Sequence, residues 1–323
     1  MFLHKNSIKQ IIMADCHKLF TEFNDELNIL PSKRVKMITS KNNLRDTIRD
    51  DFKENHPDYV PKFFIQGSYK TGTSIRNKED HCDLDDGIYF SSNPDNVTGR
   101  TLQEWVLKAV AGVTDATPVH KRKCIRVNYQ AGYNIDLPVM VFDSEIMEHP
   151  QLAVKDSDFK EDDPKEFIGY YKDHKTDQMT RMVKYLKSWC DNMRESMPSG
   201  LAMTVLALNH YMTNDRDDVA LKFLLVEIES ALKAKFECVM PTTPGDDLFA
   251  DYSETKRDNF LNNLKDFISD AKSAINEPNQ RKASLLWKKH LGNRFPEGED
   301  KDENQSNSDS LRSLAGNSRP YFG

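Results

Sequence analysis

Gln66-Gly67-Ser68-Tyr69-Lys70-Thr71-Gly72-Thr73-Ser74, followed by Cys82-Asp83-Leu84-Asp85-Asp86-Gly87, is the stretch that decides how the rest of the chain is read. Gly67 lets a backbone approach another group closely, and Ser68 offers a hydroxyl and its own N–H at a helix start, a place where anions bind. Gln66, Thr71, Thr73 and Ser74 add polar groups around the turn, and Lys70 and Arg76 add positive charge. In the second segment Asp83 and Asp85 are two residues apart, so in a strand they share one face while Leu84 points to the other. Ile88-Tyr89-Phe90 continues with strand-forming residues. Asp86 falls on the face of Leu84 and Ile88, where a charge is costly unless paired, exposed or displaced by a bulge at Gly87. That face also argues against Asp86 as a metal ligand.

A third carboxylate is found in Tyr133-Asn134-Ile135-Asp136-Leu137-Pro138-Val139-Met140-Val141-Phe142. Ile135, Leu137, Val139 and Val141 alternate as a buried face and leave Asp136 on the other. Lys121 to Tyr129 reads as the hairpin partner of this strand, joined through Gln130-Ala131-Gly132. Its basic start either faces phosphates or is solvated. A phosphate cradle followed by carboxylates on one strand face suits nucleotidyl transfer. A nucleoside triphosphate is highly anionic, and two metal ions on hard oxygen ligands activate the attacking hydroxyl and stabilise the leaving pyrophosphate.

The ordered set of Gly-Ser, Asp-x-Asp and a strand Asp resembles the signature of the DNA polymerase β-like nucleotidyltransferase superfamily. Gln-Gly-Ser-Tyr, Asp-Leu-Asp-Asp-Gly and Tyr-Asn-Ile-Asp-Leu-Pro-Val are similar to the bacterial cGAS/DncV-like nucleotidyltransferases (CD-NTases), which make cyclic di- or trinucleotide signals in CBASS anti-phage defence. The resemblance implies an α/β (α+β) fold, with a nucleotidyltransferase sheet packed against an oligoadenylate-synthase-like helical domain. It implies that Asp83 and Asp85 hold two Mg²⁺ (or Mn²⁺) ions, that Asp136 helps hold the catalytic one, and that Ser68, with Gln66 and Gly67, binds the triphosphate. The substrates implied are ATP and GTP or another nucleoside triphosphate, with a downstream effector reading the product. A linear oligonucleotide synthase, a transferase acting on an RNA or protein acceptor, and a weakly active nucleotide-binding scaffold are the other readings.

With 323 residues, a net charge of −6 and 30% charged residues, the chain lacks the basic excess of an extended nucleic-acid binder. The cysteines are scattered without Cys-x-x-Cys spacing, which argues for reduced thiols and against structural zinc. The N-terminus does not read as a signal peptide and no apolar run approaches membrane-spanning length, so a cytoplasmic protein is expected.

Along the chain, Ser7 is placed to cap a first helix whose stripe includes Ile8, Ile11, Ile12, Leu19, Phe20, Phe23 and Leu27; Pro31 interrupts it and a second helix runs to about His56. Strands dominate from Phe63 to Phe142, with a helix at Leu102 to Val110. The pattern turns helical from Lys165. The expected division is 1–160 for the nucleotidyltransferase core with bridging N-terminal helices, 161–295 for the helical part, and 296–323 for a disordered tail. Helices are expected over Met179–Met193, Ser199–Thr213, Val219–Phe236, Glu254–Ile275 and Asn279–Leu291. The basic helix ending Lys187-Ser188-Trp189, and the Pro198-Ser199 that opens the next, resemble the helical domain of oligoadenylate synthases. There the lysine and the polar residue reach the donor triphosphate, which extends to Lys187 and Ser199 a nucleotide-binding role; a surface lysine and a helix N-cap are the plain alternatives. The tail is charged and Ser/Asn-rich. Its terminal Gly323 resembles the C-termini conjugated by E1/E2-like partner enzymes.

Overall fold

The computed structural model describes residues 13–194 and 196–301. The readings of Ser7, Ile8, Ile11 and Ile12, of the tail after Lys301 and of Gly323 lie outside the described residues.

The sequence pattern of the first half closes into one eight-stranded sheet. Its strands are β1 (Lys62–Gln66), β2 (Cys82–Phe90), β3 (Val119–His120), β4 (Ile125–Tyr129), β5 (Tyr133–Leu137), β6 (Val139–Val141), β7 (Gln151–Val154) and β8 (Asp158–Glu161). The order is β3-β4-β5-β2-β6-β7-β8, with β1 antiparallel to β2. The expected single strand over Tyr133 to Phe142 is two strands. Pro138 has no N–H to give to a ladder, so the chain breaks there. β5 then runs parallel to β2 over Cys82–Asp85, and β6 over Ile88–Phe90. The alternation survives the break, with Ile135, Leu137, Val139 and Val141 all buried.

Helix α1 (His17–Leu27) is followed by α2 (Pro31–Asn55), which opens with Pro31 in its first turn, where a missing N–H costs nothing. The stripe Met37, Leu44, Ile48 and Phe52 of α2 packs into the same core as Leu84, Ile88 and Phe90. Here the Asp86 problem is resolved. Its side chain is fully buried, the β1–β2 register runs through it without a bulge, and the Arg45 guanidinium from α2 grips both carboxylate oxygens. After the short α3 (Gly67–Thr71), α4 (Gly99–Ala109) adds Leu102 and Val106 to this core.

The second half is helical: α5 (Pro164–His174), α6 (Asp177–Met193), α7 (Gly200–His210), α8 (Asp217–Ala234), α9 (Glu254–Asn276) and α10 (Gln280–Leu291). Thr176, Ser199, Ser253 and Asn279 each accept from a backbone N–H in the first turn of α6, α7, α9 and α10, so the starts of these helices were written in N-cap residues. Their core holds Trp189, Phe260, Phe267 and Trp287, and Phe20 and Phe23 of α1 insert into it. Among the described residues no helix is long and apolar enough to cross a membrane.

Two details differ from the sequence reading. Among the described residues the first helix starts at His17, because the N–H groups of Ala14 and Cys16 are drawn to Glu277 O and Asp218 Oδ2. Residues 297–301, expected in the disordered tail, lie along the start of α10. Glu297 pairs with Lys288, the Gly298 N–H reaches Ser284 Oγ, and Arg281 N donates to Glu299 O.

Candidate active site

The strand register decides which polar side chains meet. Parallel pairing sets Asp85 of β2 beside Asp136 of β5, and Asp83 beside Asn134, whose Nδ2 donates to Asp83 Oδ1 at 3.0 Å. Antiparallel pairing of β4 with β5 puts Arg126 opposite Asp136. Arg126 then donates to both oxygens of Asp136 at 2.7 Å each and lies 3.2 Å from Asp83 Oδ1. The three carboxylates picked out from the sequence are therefore together at one place on the sheet, with a guanidinium among them.

These groups carry a frustrated charge. Burial, then the neighbouring Asp136 and Asp83, push the Asp85 carboxyl up to about 7, against the opposing pull of Arg126 and Lys187. Hydrogen bonding to Asp136 raises the Arg126 pKa still further, so it stays charged. A set of hard carboxylate oxygens that disfavours its own ionisation fits a divalent cation, which would take up that charge. Asp83, Asp85 and Asp136 supply that chemistry. Among the described residues His149, Asp163 and Glu166 form a second donor group, of which Asp163 lines the same cavity as Asp83 and Asp85. Its groups are held in a latch: Asp163 caps α5 and accepts from His149 at 3.3 Å, and Glu166 accepts from Thr243 N.

The cradle forms where β1 ends. Gly67 takes φ +62°, and a Cβ there would overlap Asp85 Oδ2, so only glycine brings the turn onto the carboxylate. Ser68 O accepts from the N–H groups of Thr73 and Ser74, and Ser68 Oγ and Ser74 Oγ are 2.8 Å apart. Gln66 is buried, with its Oε1 accepting from Tyr89 OH.

Lys187 arrives from α6, on the helical side. Its Nζ donates to Thr73 O at 3.2 Å and Thr73 Oγ1 at 3.1 Å. Burial lowers its pKa to about 8, with Asp85 opposing that shift. Gly200 makes room for it, since a Cβ there would sit 3.1 Å from Lys187 Cε. Ser199 is used differently: its Oγ accepts from Ala202 N as the cap of α7, and Gly200, Leu201 and Thr204 are the α7 residues that line the cavity.

That cavity, about 710 Å³, takes in Gln66, Gly67, Ser68, Asp83, Asp85 and Lys187. Pro164, Phe167, Ile168, Leu201 and Met240 also line it. The size is within the range of small-molecule sites. Arg126 was missed as a site residue, although the hairpin held the signal. Tyr129 pairs with Tyr133 across the turn, and counting outward from that pair sets Arg126 against Asp136.

Residues 61–140 match the family model described as cyclic GMP-AMP synthase DncV-like, nucleotidyltransferase domain. The fold is similar to that of Vibrio cholerae DncV cyclic AMP-GMP synthase in complex with the linear intermediate 5′ pppA(3′,5′)pG, with a TM-score of 0.77 at 16% identity, over 87% of this chain and 96% of that one. The GTP-bound form of the same Vibrio cholerae protein matches with the same figures. A form holding ATP, GTP and 5MTHFGLU2 gives 0.76 at 16% identity, over 88% and 97%. The segment that carries the Gly-Ser turn and all three aspartates is thus the segment the family model matches, and it lies within a fold similar to that of the Vibrio cholerae enzyme.

Proposed function

We propose that the chain is a divalent-metal-dependent synthase that joins nucleoside triphosphates into a cyclic di- or trinucleotide signal, in the setting of anti-phage defence. The observation that carries this is the placing of Asp83 and Asp85 beside the Gly67–Ser74 cradle in one cavity, with Asp136 next to Asp85 on the neighbouring strand and Lys187 entering from the helical side. Mg²⁺ bound there supplies charge neutralisation and a more acidic attacking hydroxyl.

The protein's own contribution is placement. Asp83 and Asp85, on one face of β2, hold the cation site rigid, and Asp136 sets the side from which the ribose hydroxyl approaches the α-phosphorus. Ser68 Oγ, paired with Ser74 Oγ, donates to a phosphate oxygen. The Lys187 ammonium, held on Thr73, meets the triphosphate from the opposite wall. Gln66 braces the turn. Ser199 acts through the start of α7. Attack by one nucleotide's hydroxyl on the α-phosphorus of another releases pyrophosphate, and a second attack within the linear product closes the ring. A net charge of −6 favours free nucleotides as both donor and acceptor over a polymer. The Vibrio cholerae neighbour's name and its complexes with ATP, GTP and a linear intermediate support the same reading.

The test is incubation of the purified protein with all four ribonucleoside triphosphates and Mg²⁺, followed by phosphatase treatment and mass spectrometry. A resistant product with a cyclic di- or trinucleotide mass is expected. Linear products alone would make the protein an oligonucleotide synthase, and a product only in the presence of RNA or protein would identify a different acceptor.

A further inference from the structure

Phe167, Ile168, Leu201 and Met240 give the cavity an apolar lining, and Asp162, at the junction of β8 and α5, lines it together with Asp163, Thr204 and Thr243. Its neighbour Asp163 is fully engaged: Oδ1 accepts from the N–H groups of Lys165 and Glu166, and Oδ2 lies 3.3 Å from His149 Nδ1. Asp162 is anchored only through its backbone, whose N–H donates to Pro150 O. Among the described residues its carboxylate accepts no hydrogen bond, and Lys123 Nζ is 3.9 Å away. Burial raises its pKa, with Lys123 opposing the shift and Asp246 and Asp163 adding to it. A half-buried carboxylate without donors is costly unless a ligand supplies them.

We infer that Asp162 reads the edge of a nucleobase in this cavity and selects guanine. The inference rests on the nucleotide-joining function proposed above. An ionised carboxylate only accepts hydrogen bonds. Guanine offers it two adjacent donors, N1–H and the N2 amine. Adenine and cytosine each pair an amine with a ring nitrogen whose lone pair faces the carboxylate, and uracil flanks its single N–H with carbonyls. The apolar lining residues suit the faces of a base, whereas the cradle, Asp83 and Asp85 suit phosphate and ribose. A ribose vicinal diol is the other group that gives a carboxylate two adjacent donors, and the experiment separates the two.

The experiment is isothermal titration of the full chain, in Mg²⁺, with α,β-methylene analogues of GTP, ITP and ATP and with the 2′- and 3′-deoxy forms of the guanine analogue. Wild type is expected to bind the guanine analogue about tenfold or more tightly than the inosine one, which lacks the N2 amine, and than the adenine one. Asp162→Asn and Asp162→Ala, each with unchanged melting temperature, are expected to bring the three within about twofold. A guanine preference that persists in both variants overturns the inference, as does a wild type with no preference. Loss of affinity for the deoxy forms in wild type but not in Asp162→Asn reassigns Asp162 to the ribose. Failure of wild type to bind any analogue removes the nucleotide-joining function itself, a result distinct from loss of base selectivity.

Discussion

Arg126 is the residue through which the charge of the site can be tested. It holds both oxygens of Asp136 and touches Asp83, so it does in the free protein part of what a bound cation does. Arg126→Met leaves Asp136 and its neighbours uncompensated. The metal-free variant should lose about 3 kcal/mol of stability, because breaking one side of a buried pair strands the other charge. Mg²⁺ or Mn²⁺ should then raise its melting temperature by more than it raises that of wild type, since the competing cation is gone. Equal metal-induced shifts would mean that Arg126 and the metal do not share these carboxylates. Asp85→Asn gives the converse result. Asp85 ionises reluctantly in its buried, like-charged setting, so its neutral isostere should melt at or above wild type without metal and show little response to Mg²⁺. Nucleotide joining should fall about 10³-fold, several kcal/mol of charge stabilisation at 1.36 kcal/mol per decade. The three aspartates were legible because a strand repeats every two residues and shows its face in the sequence. Asp162 was not singled out there: it sits at a sheet-to-helix junction, where no periodicity says which carboxylate faces a cavity.

At the scale of elements, α2 is fastened to β2 by the Arg45–Asp86 pair, and β2 is the strand that carries the site. Asp86 has no exposed side-chain surface and Arg45 only 18%. Arg45→Met should therefore cost about 3–5 kcal/mol, while Arg45→Met with Asp86→Leu should recover most of it, since removing both charges leaves none unpaired. Chemical denaturation of the two singles and the double measures the cycle. Additive losses would show that the pair does not act as a unit. The sequence announced that Asp86 needed a partner and could not say which. The answer is 41 residues upstream on another element, and only packing brings the two together. The division of Tyr133 to Val141 into β5 and β6 was legible in principle from Pro138. The use of Ser199 as a cap was legible from its position after proline, whereas its distance from the cavity depends on how α7 meets α6.

At the scale of the molecule, the sheet core and the helical core are separate clusters, and the cavity lined by both belongs to neither. The chain hands α1 to the helical core and α2 to the sheet, with Pro31 between them. A polar knot at the start of α8 ties the helical core together. The fully buried Asp217 accepts from Arg181 at 2.6 and 2.7 Å, from Gln178 at 2.9 Å and from Tyr185 OH at 2.9 Å, and its own N–H donates to His17 of α1 at 3.0 Å. Burial alone would raise the Asp217 pKa, but the bonds from Arg181, Gln178 and Tyr185 outweigh it and hold the carboxyl below its usual value of 3.8. The sign follows from linkage. A carboxyl more acidic in the folded chain stabilises the fold above the unfolded value and loses that contribution as pH falls through the folded one. Asp217→Asn should therefore melt below wild type at pH 7, with the gap narrowing as pH falls below about 4. The sheet core has no part in this knot, so Asp217→Asn should leave the Arg45–Asp86 coupling unchanged when combined with that cycle. A gap that stays constant down to pH 2, measured by calorimetry, would show that Asp217 contributes shape and not charge.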